Sequence, residues 1–232
     1  MSCLKKGVVW VISCMVVSCA SKHYVSSDRV EQRVIFPSYE IKYDYEQQEG
    51  AVQVIFHVDN HSGQTVRLKG ESKVTFNDTC LEGHYSKEDG YVYARSLNAL
   101  PSRWCFIYTN NDRQQFKNTF RVSGIDMAGK RDITFRKHEA AVFATTGALR
   151  GEETSARLLL FNNKGQQITA IAVTLRDRQG WITPEAMLAV PEGHYTGQLS
   201  TTCYSSDIKA MDRGGAYETR CLSKKMKIHI VK

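Results

Sequence analysis

The sequence lacks several of the short motifs by which hydrolases and nucleotide-binding proteins announce themselves. There is no GxSxG for a nucleophile elbow, no HExxH for a helical zinc site and no GxxxxGK[ST] for a phosphate-cradling loop. No Cys-x-x-Cys pair or close Cys/His cluster is present, which argues against a structural zinc site. The apolar run from Gly7 to Val17 is too short to cross a bilayer as a helix. Long helical periodicity is missing as well, and only 184–188 offers a helical turn, with Thr183 placed to cap it and Pro184 suited to its first turn. These absences turn the reading away from enzymes, cofactors and metals, and toward a protein that works by contact.

What is present begins at the N-terminus. Lys5 and Lys6 precede the apolar run, which ends in Ser18-Cys19 and gives way at once to polar sequence, the pattern of a secretory signal peptide. Within it, Val16-Val17-Ser18-Cys19 resembles the lipobox of bacterial lipoproteins. That resemblance implies cleavage before Cys19, a diacylglycerol on its thiol and an acyl chain such as palmitate on its new amine. A competing tetrapeptide, Val11-Ile12-Ser13-Cys14, would leave a shorter apolar region and Met15-Val16-Val17 at the mature terminus. Ala20 follows Cys19, and in Gram-negative lipoproteins a non-acidic residue there implies the outer membrane. Cleavage after a nearby small residue, giving a soluble exported protein, is the alternative.

The remaining cysteines agree with export. Of seven, Cys3 and Cys14 fall in the leader and Cys19 takes the lipid, leaving Cys80, Cys105, Cys203 and Cys221. An even number in an oxidising compartment implies two disulfides, and short separations favour Cys80 with Cys105 and Cys203 with Cys221. The formal net charge is +7, and it is unevenly spread. Between Asp28 and Asp126 there are 12 basic and 14 acidic residues, between Met127 and Lys232 there are 16 and 10. For an exported chain this basic half points to anionic lipid head groups or an acidic partner, not to nucleic acid.

From Ala20 to Arg33 the chain is polar and aperiodic, as a tether would be. After it the period is two: Tyr39, Ile41 and Tyr43 alternate with Glu40 and Lys42, and Val52, Val54, Phe56 and Val58 alternate with Gln53, His57 and Asp59. Further strands are expected at 65–69, 73–77, 90–97, 103–109, 116–123, 132–137, 141–145, 156–161 and 167–175, with a last alternating strand at 225–230. The segment from Ala189 to Gly197 resembles the corner before strand F of immunoglobulin-like sandwiches, where a tyrosine hydroxyl bonds back to upstream backbone. A faint repeat relates Ala99-Leu100-Pro101 and Trp104 to Ala189-Val190-Pro191 and Tyr195. The expected fold is all-β, two tandem antiparallel immunoglobulin-like β-sandwich domains after the signal peptide. The boundaries are 1–18 signal, 19–33 tether, 34–123 first domain, 124–130 linker and 131–232 second domain.

Two surfaces are candidate binding sites. Trp104, Phe106 and Tyr108 share one face of a strand whose other face carries Cys105 and Ile107, and with Tyr91 and Tyr93 they would make an aromatic platform unless they are core. Lys224, Lys225 and Lys227 line the outward side of the last strand and would meet phosphates, or guard a sheet edge. His57, Asp59 and His61 share parity, but at a strand end running into a turn polar residues are expected anyway, so no metal is assigned. The expectation is a non-enzymatic, lipid-anchored outer-membrane protein without cofactor, held to the membrane through Cys19. It acts by protein interaction as an accessory of a pilus, secretion or conjugation apparatus. A surface-displayed glycan- or host-binding module is the first alternative and an envelope hydrolase the second.

Overall fold

The computed structural model describes residues 24–121, 124–129, 131–147, 153–206, 208 and 211–232. The signal peptide, the lipobox and Cys19 lie outside the described residues. The first half contains β1 (Tyr24–Ser26), β2 (Ile35–Asp44), β3 (Glu49–Val58), β4 (Thr65–Arg67), β5 (Lys73–Phe76), β6 (Thr79–Cys80), β7 (Glu82–Ser86), β8 (Gly90–Leu97), β9 (Arg103–Thr109) and β10 (Gln115–Arg121). The second contains β11 (Asp132–Arg136), β12 (Ala141–Ala144), β13 (Glu153–Phe161), β14 (Gln167–Ala172), β15 (Thr174–Arg176), β16 (Gln179–Ile182), the helix α1 (Pro184–Leu188), β17 (Gly193–Ser205), β18 (Ala216–Leu222) and β19 (Met226–Val231). The chain is therefore all-β, as its period-two patterning requires.

One large sheet runs through both halves, in the order β1-β4-β3-β2-β18-β17-β13-β14, with β8, β7, β19 and β11 attached. Against its first half packs the sheet β10-β9-β5-β6, and β12-β16-β15 forms a third sheet in the second half. Each half thus has a hydrophobic cluster of its own. The first draws Tyr39, Ile41, Val52, Val54 and Phe56 from the large sheet and Phe76, Trp104, Phe106 and Tyr108 from the small one. Its rings interlock, with Tyr39 and Phe106 centroids 4.4 Å apart, and Asn118 Nδ2 donates to Tyr39 Oη at 2.9 Å. The second is built mainly from aliphatic residues, among them Leu158, Leu160, Leu199, Ile228 and Ile230, with Phe143 and Ile182 from the third sheet.

The halves meet along the ladder between β2 and β18, which is parallel and runs from Ala216 beside Ser38 to Leu222 beside Asp44. Two other ladders, β1 with β4 and β11 with β19, are parallel too, so the pairing is antiparallel in most of the molecule but not all. The long strand β17 makes the junction possible. Residues 193–197 pair with β19 and residues 200–205 pair with β18. At the break Ser223 Oγ accepts from Leu199 N at 2.8 Å and Gln198 Nε2 donates to Ser223 O at 2.9 Å, so buried polar groups remain satisfied.

Two expected connectors are part of the packing. The tether reading for 19–33 fails from Tyr24 onward: β1 pairs with β4, Lys69 N donates to the buried Ser27 Oγ at 2.9 Å, and Tyr108 Oη donates to Gln32 Oε1 at 2.6 Å. The polar composition is explained by these bonds. The segment 124–130 is likewise no free linker, because Ile125 and Met127 are buried in the second cluster.

Candidate interaction face

Outward-facing side chains of the junction sit on rows set by register. Glu40 lies beside Glu218 and Lys42 beside Arg220, so like charges are directly opposed across the seam. Such pairs are unfavourable by themselves. They are relieved along the strands. Lys42 Nζ reaches Glu40 Oε2 at 2.9 Å, Arg220 grips Glu218 with two bonds of 2.8 and 2.9 Å, and Arg220 Nε stands 3.6 Å from Glu40 Oε1. The bidentate grip of Glu218, helped by the smaller attraction of Glu40 and opposed by burial, holds the Arg220 pKa above its ordinary value. Four charges from the two halves form one lattice.

On either side of this lattice the face is hollowed. A depression of about 600 Å³ is lined by Asp44, Ala51, Leu97 and Leu222 among others, and one of about 550 Å³ by Ser38, Gln53, Ile55 and Tyr204 among others. Lys42 and Arg220 border both. The result is a broad surface with a largely apolar hollow on one flank, a more polar hollow on the other and paired charges between them.

The aromatic platform expected from sequence is corrected. Trp104, Phe106 and Tyr108 are core residues, 1%, 0% and 0% exposed, because the opposite face with Cys105 and Ile107 is the one turned outward. Burial pushes the Tyr108 phenol up to about 12. Tyr93 is also buried, and its hydroxyl accepts from Leu68 N. Tyr91 alone stays half-exposed, within a small cluster with Tyr24 at 5.4 Å, and Arg67 stands 5.4 Å over its ring. Tyr85 joins from β7, 5.7 Å from Tyr24.

The basic stripe is only partly as expected. Met226, Ile228 and Ile230 point inward and Lys224, Lys225 and Lys227 are exposed. But β19 is flanked by β17 and β11, so these lysines guard no edge. Lys224 is engaged with Asp126, which accepts from its backbone N at 2.8 Å, and Lys225 lies over the Phe161 ring at 6.0 Å. His57, Asp59 and His61 do not converge. His57 Nδ1 is bonded to Gly63 O at 3.2 Å, and Asp59 meets Arg213 at 3.5 Å.

Among the described residues no disulfide joins Cys80, Cys105, Cys203 or Cys221. The expected Cys80–Cys105 bridge is ruled out by geometry, since β5 lies between β6 and β9 and two strand spacings of about 4.8 Å separate them. Cys203 and Cys221 are different: both are buried on one face of adjacent strands, opposite Thr219 and Thr201. Burial, and secondarily the neighbouring Cys203, pushes the Cys221 thiol up to about 12.

Glu218 and Arg220, half of the lattice, escaped the sequence reading because β18 was not expected. The signal was present, since Glu218, Arg220 and Leu222 alternate with Tyr217, Thr219 and Cys221, but the inward set is too polar to stand out. No family model matches the chain, and no curated protein matches it. Among solved structures it is similar to a chimeric titin Z1Z2 functionalized with a KLER exogenous peptide from decorin, at 9% identity over 88% of this chain and all of that one, with a TM-score of 0.23. It is also similar to Salmonella alpha-2-macroglobulin mutant Y1175G, at 9% identity over 84% of this chain and 15% of that one, with a TM-score of 0.23. Likenesses this low say nothing about function.

Proposed function

We propose that the chain is a non-enzymatic protein of the bacterial envelope, anchored through lipid on Cys19, that works by holding a protein partner against the face spanning β2 and β18. The observation that carries the reading is the charge lattice of Glu40, Lys42, Glu218 and Arg220 between two hollows. Exposed ion pairs of this kind contribute little to stability, so stability alone does not account for assembling them from both halves. A partner presenting its own charges exchanges with them at small cost. Val16-Val17-Ser18-Cys19 supports the anchor, and Ala20 supports the outer membrane. An accessory of a pilus, secretion or conjugation apparatus is the setting that fits an anchored binder.

Photo-cross-linking in the native membrane tests this. A cross-linker placed at Gln53 or Ser200 should capture one envelope protein, the K42E/R220E double variant should lose that adduct at least about tenfold, and a cross-linker at Lys164 should capture none. Equal capture from Lys164, or an adduct indifferent to K42E/R220E, contradicts the reading. Acylation should vanish in Cys19→Ala. A second reading, outward display for glycan binding, is favoured by the cluster of Tyr24, Tyr85 and Tyr91 beside Arg67.

A further inference from the structure

Outside that face, the strands β17, β19 and β11 run side by side and bring two imidazoles and a carboxylate together at the surface. His194 of β17 is directly opposite His229 of β19. Their rings meet edge-on with centroids 4.1 Å apart, and His194 Nδ1 lies 3.1 Å from His229 Nε2. Asp132, the first residue of β11, places Oδ1 3.6 Å from the same Nε2. The backbones carrying both histidines are fixed by ladders on β17 and β19, and Ile228 and Ile230 anchor β19 in the core beneath.

Two imidazole nitrogens this close either share one proton or share one cation. Zinc binds imidazole nitrogen at about 2.0–2.1 Å, so tetrahedral coordination places two such donors about 3.3 Å apart. The observed separations of 3.1 and 3.6 Å bracket that value. Among the described residues no group of three or more such side chains already surrounds one point. Here His229 stands in the middle and the other two flank it. The Asp132 side chain is 60% exposed and has room to turn.

We propose that His194 and His229 bind a borderline divalent transition metal, zinc being the reference ion, and that Asp132 swings in as third ligand with water completing the shell. His194 binds through Nδ1 and carries its proton on Nε2; His229 binds through Nε2 and carries its proton on Nδ1. Calcium and magnesium are excluded by chemistry, because they require several oxygen donors and the site offers one carboxylate. Lys227 is the register neighbour of Asp132, and its positive charge opposes a bound cation.

The test is zinc titration of the full chain, without a histidine tag, followed through the imidazole nitrogen resonances. One equivalent should shift His194 and His229 and leave His57, His61, His84 and His138 unmoved. Affinity should fall at least about tenfold in His194→Ala and about tenfold in Asp132→Asn, and rise in Lys227→Met. Zinc that moves other histidines while His194 and His229 stay in place overturns the proposal, as does wild-type affinity in His194→Ala. Resonances of the unaltered chain answer the question even where a variant folds poorly.

Discussion

The two halves close a corner with the same device made from different aromatics. Trp104 Nε1 donates to Pro101 O at 2.5 Å, and Tyr195 Oη donates to Pro191 O at 3.0 Å. Each ring stands near the start of a strand and ties it to a proline three or four residues upstream. Their surroundings differ. Trp104 is 1% exposed and belongs to a core full of rings, whereas Tyr195 is partly exposed at the margin of an aliphatic core. In the first half the corner and the core are one residue. In the second they are separate, so the corner can be altered without emptying the core.

That contrast can be broken by mutation. Trp104→Ala should cost about 3–5 kcal/mol, because it leaves a cavity among Phe76, Phe106 and their neighbours. Tyr195→Phe should cost about 1 kcal/mol, the net worth of one hydrogen bond with the ring retained. Both are read from denaturant midpoints, and equal costs would mean that the corners carry the same weight. Alkaline titration sharpens the picture further. Cys221 at the junction has an ordinary value of 9.0 and Tyr108 in the first core one of 10.0, and burial raises both to about 12. A raised value in the folded state means that the contribution is intact below the ordinary value and is lost as pH climbs toward the folded one. Stability should therefore begin to fall above about pH 9, and Cys221→Ala should delay the onset to about pH 10. An oxidised Cys203–Cys221 pair would show the delayed onset without any mutation, so the same curve distinguishes a thiol from a disulfide.

The strands of the cores were legible because their inward residues are large and apolar, as in β2, β3, β8, β9 and β19. The corner tyrosine and the cap of α1, where Thr183 Oγ1 accepts from Ala186 N, were legible because they are local. The junction was not. On β17 and β18 the inward positions are Thr201, Cys203, Ser205 and Thr219, small polar residues satisfied by bonds that no period reveals. Two hairpins were hidden as well. Asn77-Asp78 and Asp177-Arg178 take positive φ at both positions without the glycine that usually advertises such turns. Finally, the parallel pairing of β2 with β18 joins residues far apart in sequence, and nothing local encodes it.

Because the ladder between β2 and β18 joins the two halves in one sheet, they should unfold as one cooperative unit. Each half carries a single tryptophan, Trp104 in the first and Trp181 in the second, while Trp10 lies outside the described residues. Trp181 is partly buried with Arg176 4.3 Å over its ring, so it reports locally. Denaturant unfolding of Trp181→Phe and of Trp104→Phe should be followed by fluorescence and by far-ultraviolet circular dichroism in the same sample. Coincident transitions in both variants are the predicted result. A fluorescence change that is complete while much of the sheet signal persists would show two halves unfolding independently, and would contradict the claim.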